Sequence, residues 1–318
     1  MTIRIVSDLD ECARLWRLVE GSRSLFQNWD VRACFQAAFG HRPRFVVAER
    51  SERVVGLLPL SRIPGPCGYA FFPGELWQGK TWLERNRALA ADETILRELF
   101  ASLDAPALVR YLEGDCLPPG RGPAAEDETG YLFHPAVFNF DFAAYQTTLP
   151  GRTLRKFQKE IGKLEEEGIE FRYNQTADIA RMIDMNLTAF GDYSYFRDIR
   201  FLRGFEQLVA LLQRRGALLT TTVLIGGRPA AIDLGALWNN AYTVLAGGVD
   251  RSFPGVAKLI NFHHLEQACR HRFAEVDFLC GDFGWKERFR LSPRILYKLS
   301  SDPHADTLFT TGENREPA

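Results

Sequence analysis

The sequence predicts an α/β fold of the α+β type, in which each of two domains has a mixed, mainly antiparallel sheet flanked by helices. The first observation behind this prediction is a pair of apolar runs, Ala217–Ile225 and Arg228–Leu237, joined by Gly226 and Gly227. Two glycines between two such runs are a strong signal for a tight β-hairpin. A third run, Ala241–Gly247, extends this hairpin to three antiparallel strands.

The second observation is a helix and a returning strand after these three runs. The chain breaks at Pro254-Gly255 and then carries apolar residues at helical spacing as far as Ala268. A further strand is predicted over Glu275–Cys280, beside the third strand of the meander. Because a helix that starts after Pro-Gly leaves backbone N–H groups at the positive end of its dipole, this start predicts a phosphate-binding turn.

The third observation is that the N-terminal half contains the same succession of elements, although no residue-level repeat is detectable. Helices are predicted over Asp8–Glu20 and Trp29–Phe39, then a hairpin, a helix over Thr94–Leu103 and a strand over Ala107–Leu112. We therefore expect domains over residues 1–145 and 146–302, with a disordered tail over residues 303–318. The alternative is a single α/β domain preceded by an unrelated N-terminal part.

Composition is that of an ordinary globular protein, with 46% hydrophobic and 25% charged residues. The formal net charge of −1 provides no overall attraction to nucleic acid or to anionic membranes, so any polyanion site must be a local patch. No run is long and apolar enough for a membrane span, and the N-terminus lacks the apolar stretch of a signal peptide. The six cysteines are scattered without metal-ligand or disulfide spacing, which predicts reduced thiols, no metal and a cytoplasmic protein.

Several motifs follow one another in a characteristic order. They are a basic helix with an acidic end and a glycine (Arg152–Gly168), the hairpin sequence Gly226-Gly227-Arg228-Pro229-Ala230-Ala231, the helix start Pro254-Gly255, and a late strand with Asp277, Phe278, Gly281 and Lys286. This order resembles the GNAT acyltransferase superfamily and, within it, the Fem-like and cellulose-biosynthesis-associated acetyltransferase branch. The resemblance covers the C-terminal half well and the N-terminal half loosely.

The resemblance implies tandem GNAT-like domains and an N-acyltransferase that moves an acyl group, first of all acetyl, from acyl-coenzyme A to a small-molecule or peptide amine. The donor phosphates would lie on the turn between the third strand and the helix. Ser252 stands where the family pattern has Gln or Arg, while two small residues of the pattern are kept. The expected cofactor-binding residues are Arg251, Pro254, Gly255, Val256, Ala257 and Lys258. The alternative interpretation is an ordinary Pro-Gly turn.

Three residues are candidates for catalysis. The resemblance gives Lys286 the role of stabilising the oxyanion or holding an anionic group of the donor, against the alternative of a solvated surface lysine. Asp282 is expected to orient this lysine or accept a proton, or equally to cap its turn. Asp233 interrupts an apolar strand, so it either takes the proton of the amine or is paired structurally with an arginine. His263 and His264 are expected to have packing or surface roles.

The basic helix predicts an anionic partner or a merely solvated face. Its cations lie on one face at helical spacing: Arg152, Arg155, Lys156, Lys159 and Lys163. Cations in the first turns of a helix oppose its dipole, which indicates that the charges have a function. The partner would be a coenzyme A phosphate, a nucleotide-linked substrate or, as in Fem-type enzymes, the acceptor arm of an aminoacyl-tRNA. A further alternative is a catalytically silent GNAT-like scaffold.

Overall fold

The computed structural model describes residues 1–21, 24–65, 68–118, 124–281 and 284–302. The helices are α1 (Leu9–Trp16), α2 (Trp29–Phe39), α3 (Glu93–Ala101), α4 (Phe142–Thr148), α5 (Gly151–Glu166), α6 (Ala177–Phe190), α7 (Ile199–Arg214), α8 (Val256–Arg270) and α9 (Trp285–Arg288). The strands are β1 (Thr2–Val6), β2 (Arg42–Arg50), β3 (Arg53–Ile63), β4 (Gly68–Phe71), β5 (Leu76–Trp77), β6 (Lys80–Thr81), β7 (Leu89–Ala90), β8 (Ala107–Glu113), β9 (Ala125–Phe133), β10 (Ile169–Tyr173), β11 (Leu218–Ile225), β12 (Arg228–Trp238), β13 (Ala241–Val249), β14 (Glu275–Cys280) and β15 (Ser292–Ser300). The predicted tail over residues 303–318 lies outside the described residues.

Both halves of the chain show one succession of elements, which confirms the prediction of tandem domains. In the first half the order is β1, α1, α2, β2, β3, β4, α3 and β8, and in the second it is β10, α6, α7, β11, β12, β13, α8 and β14. Each half has three antiparallel strand pairs followed by one parallel pair, β4 with β8 or β13 with β14. The helix before the parallel strand supplies the crossover that a parallel pair requires.

The first compact unit consists of Met1–Glu128, Asp198–Leu211 and the chain from Ile295. Its core contains Phe45 and Leu57 from the β2–β3 hairpin, which pack in one cluster with buried residues of α1 and α3. Long stretches of β2 and of β3 are buried. Polar and apolar residues therefore alternate little along these two strands.

The second compact unit consists of Thr129–Arg197 and Leu212–Arg294. The predicted hairpin is present, with φ of 54° at Gly226 and 76° at Gly227, values that favour glycine. In its core the ring of Phe157 from α5 lies 5.5 Å from that of Phe262 in α8. The apolar stripe of α5 is thus buried against α8, as its periodicity indicates.

The compact units do not coincide with the predicted ranges 1–145 and 146–302. Strand β9 supplies Tyr131 and Phe133 to the same core cluster as Tyr145, so these residues belong to the second unit. Conversely, most of α7 belongs to the first unit, where the ring of Phe201 lies 5.6 Å from that of Phe35. Aromatic packing between residues far apart in sequence decides both assignments.

Replacing Arg32 with methionine is expected to destabilise the protein by about 3 kcal/mol, because the change leaves several buried carbonyl groups without donors. The Arg32 side chain is buried and donates to Phe26 O at 2.6 Å, Phe72 O at 3.0 Å and Asn86 Oδ1 at 2.5 Å. Urea unfolding measures the change, with Arg14→Met in an exposed position as the control. A loss below about 1 kcal/mol would show that these bonds are dispensable.

Candidate active site

The parallel strands β13 and β14 separate towards their carboxyl ends. They pair only where Ala241–Thr243 lies beside Glu275–Asp277, although β13 continues to Val249 and β14 to Cys280. Strands that part in this way present unpaired backbone N–H and C=O groups to the gap. An extended ligand can therefore bind between them by adding main-chain hydrogen bonds.

A β-bulge lies in the separated section of β13. Leu234 faces Ala246 whereas the next residue, Gly235, faces Val244, so Leu245 has no opposite residue on β12. A bulge bends its strand and redirects local backbone groups, and bulges are frequent beside active sites. The gap between β13 and β14 therefore begins at a strand with irregular backbone geometry.

The predicted phosphate-binding turn joins β13 to α8. Gly255 is the N-cap of α8, with φ of 100° and no side-chain cap, and its carbonyl accepts from the N–H groups of Lys258 and Leu259. A side chain at Gly255 would meet Glu160 of α5, because a Cβ there would lie 3.1 Å from the Glu160 Cβ. The backbone at this turn thus tolerates only glycine without strain, as the sequence indicates.

The two cations predicted for this turn have protein partners. Lys258 forms an ion pair with Glu160, and Arg251 donates to the backbone carbonyl of Ala189 at 3.0 Å. The carboxylate of Glu160 in α5 therefore lies at the N-terminus of α8, where the dipole of α8 favours a negative charge. Beside the turn is a cavity of about 780 Å³, and Arg251 and Arg181 are among the residues that line it.

Asp233 and His264 form a buried pair on the face of the sheet that α8 covers. Asp233 Oδ2 lies 2.9 Å from His264 Nε2, and both side chains are less than a tenth exposed. An ionised carboxylate only accepts hydrogen bonds, so when Asp233 is ionised the proton between the two groups lies on Nε2. On β13 the residue opposite Asp233 is Gly247, where a Cβ would lie 2.2 Å from Asp233 Oδ1.

The alternative that Asp233 is paired structurally with an arginine is therefore wrong, because its partner is a histidine. His264, which was expected to pack or to lie at the surface, is that partner. The catalytic role of Asp233 stays a prediction. The two residues are 31 positions apart, and no local spacing rule connects a strand residue to one on a later helix. The only signals in the sequence were an acid that interrupts an apolar strand and a histidine within a later helix.

A cavity of about 560 Å³ lies beside the C-terminal half of α8. His263 and His264 line it, together with Tyr242, whose buried hydroxyl has no hydrogen-bond partner among the described residues. Burial, and then the negative charge of Asp233, raises the pKa of Tyr242, so this hydroxyl stays protonated. His263 stacks on the ring of Phe171 with 3.9 Å between centroids.

Two buried histidines are held in the neutral form. Burial lowers the pKa of His263 to about 4, and the positive charge of Arg270 adds to this effect. Burial also lowers the pKa of His41 in the first unit to about 4, and the charge of Arg200 adds to this effect. Both groups must gain a proton when the protein unfolds in mildly acidic solution.

Acidification is therefore expected to lower the free energy of unfolding. For His41 and His263 the folded pKa of about 4 lies below the ordinary 6.5, so the unfolded chain binds more protons and stability falls as the pH drops from about 6.5 towards 4. Thermal unfolding between pH 7.5 and 4.5 measures this, and His263→Gln should reduce the slope whereas exposed His271→Gln should not. Equal slopes in all three proteins would contradict the burial of a neutral His263.

Lys286 is buried rather than solvated. Its ammonium donates to the carbonyls of Leu279 and Cys280, at 2.7 and 2.8 Å, at the carboxyl end of β14. It also lies 5.2 Å from the ring centroid of Tyr131. The alternative of a surface lysine is thus wrong, and the side chain anchors the end of one separated strand. Asp282 lies outside the described residues.

The basic face of α5 is exposed along its whole length. Each of the five predicted cations is exposed, and the structure gives none of them an ion pair within the described parts of the chain: Arg152, Arg155, Lys156, Lys159 and Lys163. The opposite face buries Phe157 and Leu164. This separation of charge and packing leaves the cations available to an anionic ligand.

Within residues 1–21, 24–65, 68–118, 124–281 and 284–302, no cluster of His, Cys, Asp and Glu is arranged to hold a metal ion. None of the described helices is both long and apolar enough to cross a membrane.

Comparisons with known proteins agree with the geometry of the second unit. Residues 151–287 match the family described as "Acetyltransferase (GNAT) domain". No curated protein matches the chain significantly.

Solved structures with a similar fold include FemX (11% identity, 94% of this chain and 97% of that chain, TM-score 0.57). Others are the L-PGS of Bacillus licheniformis (10% identity, 98% of each chain, TM-score 0.56) and a tandem GNAT protein from the clavulanic acid biosynthesis pathway (12% identity, 95% and 99%, TM-score 0.52). At these identities the likeness establishes a shared fold.

Proposed function

The chain carries an acyltransferase domain of the GNAT superfamily over residues 151–287, and from this premise we propose that it moves an acyl group from acyl-coenzyme A to an amine. The observation that carries this proposal is the gap between β13 and β14, which opens towards the turn at Gly255. A phosphate bound at the start of α8 and an extended arm bound between the strands would use both features. The finer assignments, an acetyl donor and a cytoplasmic location, are part of the same proposal.

In this proposal the donor's phosphates replace Glu160 as the partner of Lys258. Both side chains of this ion pair are about a quarter exposed, so solvent screens their attraction and an incoming phosphate can compete for the lysine. The wall of the adjacent cavity carries Arg251 and Arg181 together with Asp184 and Asp250, so it offers local cations without a net positive charge. The N-cap glycine has no side chain to cover the first turn of α8, so a phosphate can approach the backbone at the positive end of the helix dipole.

Replacing Glu160 with glutamine is expected to tighten acetyl-coenzyme A binding about five- to tenfold, because the change removes a like charge beside the phosphates and frees Lys258. Isothermal titration at low ionic strength measures the dissociation constant. Glu165→Gln, an exposed change on the same helix, is the control and should leave it unchanged. Unchanged or weaker binding in Glu160→Gln would place the donor phosphates elsewhere.

The proposed chemistry is direct attack of the amine nitrogen on the thioester carbonyl carbon. A C–N bond forms, the C–S bond breaks, and the thiolate of coenzyme A leaves and takes up a proton. The lone pair on His264 Nδ1 accepts the proton lost by the amine, and Asp233 stabilises the imidazolium that results. Backbone groups at the β13 bulge polarise the carbonyl.

We propose that Lys286 contributes to this site by fixing the carboxyl end of β14 in place. Two of the three N–H donors of its ammonium bind carbonyls at the end of β14, which ties the side chain to that strand. Holding the end of β14 keeps the gap to β13 open in one geometry, which favours a preorganised site.

A second candidate donor is aminoacyl-tRNA, which the exposed and unpaired cations of α5 favour. The two donors are distinguished by binding measurements with acetyl-coenzyme A and with charged tRNA at several salt concentrations. Binding through five phosphate contacts gives a slope of log affinity against log salt of about −3.5 to −4.5, according to whether the RNA is single- or double-stranded there. Tight acetyl-coenzyme A binding with weak tRNA binding supports the first donor, and the reverse result supports the second.

A further inference from the structure

We propose that the cavity of about 560 Å³ beside the C-terminal half of α8 binds the acceptor, and that this acceptor is an amino-acid-like molecule with a primary amine, a carboxylate and an apolar body. This inference rests on the proposed acyl transfer and names its substrate class. The volume falls within the range of about 300–1,000 Å³ typical of small-molecule sites.

The wall of the cavity has an apolar part that fits the body of such a molecule. Leu219, Leu237 and Phe273 line it, and all three belong to the second unit. Most small-molecule sites combine a largely apolar lining with a few polar groups that fix the ligand's orientation.

The hydroxyl of Tyr242 is one such polar group. Tyr242 is 3% exposed and lines the cavity; among the described residues no group meets hydrogen-bond distance and angle at its hydroxyl, and the side chain of Thr221 is the polar group beside it. A buried hydroxyl without a partner is destabilising, and most buried polar groups in proteins are paired. An amine of the ligand would form a hydrogen bond with this hydroxyl and lie beside His264 on the same wall of the cavity.

Arg270 is the group that would bind the carboxylate. It lies in the last turn of α8, lines the cavity and is exposed, and no carboxylate forms an ion pair with it among the described residues. Gln267, one turn earlier, also lines the cavity and can donate to the same carboxylate. An acceptor with both charges would therefore span from Arg270 to Tyr242.

The cavity is connected to the proposed reaction centre through the pair of Asp233 and His264. His264 lines the cavity, whereas Asp233 lies opposite Gly247 in the separated section of β13. Because Gly247 has no side chain, the Asp233 carboxylate occupies the space that a Cβ on that strand would need. An amine bound in the cavity beside His264 would thus lie where this histidine can accept its proton.

Three probes test the assignment by isothermal titration of the full chain without donor: L-phenylalanine, phenethylamine, which lacks the carboxylate, and 3-phenylpropionate, which lacks the amine. L-Phenylalanine is expected to bind at least tenfold more tightly than either analogue. Tyr242→Phe should weaken the binding of L-phenylalanine and of phenethylamine at least fivefold and leave the affinity for 3-phenylpropionate unchanged. It should also keep or raise the melting temperature of the protein, because it removes a buried hydroxyl. Arg270→Gln should abolish the preference for L-phenylalanine over phenethylamine.

The matched controls are Tyr193→Phe and Arg214→Gln, both exposed and outside the cavity lining, and neither should change any of the three affinities. Absence of L-phenylalanine binding at millimolar concentration, or equal binding to wild type and Tyr242→Phe, would overturn the inference. Acetyl-coenzyme A is titrated into the same samples. Donor binding without probe binding refutes only the acceptor site, whereas probe binding without donor binding supports the cavity and refutes the proposed donor.

Discussion

Acetyl-coenzyme A is expected to raise the melting temperature of the wild-type protein but not that of the Gly255→Glu variant. At about 100 times its dissociation constant the ligand adds roughly 2.7 kcal/mol of stability, which corresponds to a shift of roughly 4 °C for a chain of 318 residues. In the variant, a carboxylate occupies the uncapped start of α8, next to Glu160, and repels the donor's phosphates. Thermal unfolding with and without the ligand measures the effect.

The Gly227→Glu variant is the control for backbone strain caused by replacing a glycine that has a positive φ. Gly227 also has a positive φ, of 76°, but nothing lies within 4 Å of a Cβ placed there, and it belongs to the β11–β12 hairpin. This variant should lose stability without ligand yet keep the full shift on ligand addition. A full shift in Gly255→Glu, or loss of the shift in both variants, would mean that the start of α8 is not the donor site.

Asp233→Asn is expected to lower kcat about 10²- to 10⁴-fold with little change in KM, because asparagine cannot stabilise the imidazolium of His264 during proton transfer. Release of the coenzyme A thiol at saturating acyl donor and amine measures the rate. The change is nearly isosteric, so the cavity keeps its shape and amine binding provides a check that the protein is folded.

Two further readouts separate a positioning role of Asp233 from a structural one. Loss of the carboxylate should lower the pKa that controls the acidic side of the pH–rate profile, since the imidazolium loses its negative partner. Asp233→Asn combined with His264→Gln should be hardly worse than His264→Gln alone. Additive losses, with an unchanged pH profile, would show that the two residues do not act as a pair in catalysis.

Local patterns predicted the fold well because it depends on features that neighbouring residues encode. The two glycines of the β11–β12 hairpin and the boundaries of β14 were identified directly, and the start of α8 at Pro254-Gly255 is where the sequence placed it. The order of these elements then led to the tandem arrangement. Turn chemistry and hydrophobic period act over a few residues, which is why they can be read from one sequence.

The candidate site was harder to predict because its contacts join distant parts of the chain. Glu160 and Lys258 are 98 positions apart, and no pattern in α5 indicates that this one carboxylate contacts the turn proposed to bind phosphate. Lys286 is a residue type that is usually exposed, yet two carbonyls at the end of β14 bind it. Such pairings follow from tertiary packing alone.

The proposed acyl transfer is tested most directly by a reaction in which the purified protein receives acetyl-coenzyme A and a panel of primary amines. We expect free thiol and N-acetylated amine to form in equal amounts, both to require the amine, and Gly255→Glu to abolish both. A protein that neither binds acetyl-coenzyme A nor releases thiol with any amine, while binding charged tRNA with a steep salt dependence, would contradict this proposal.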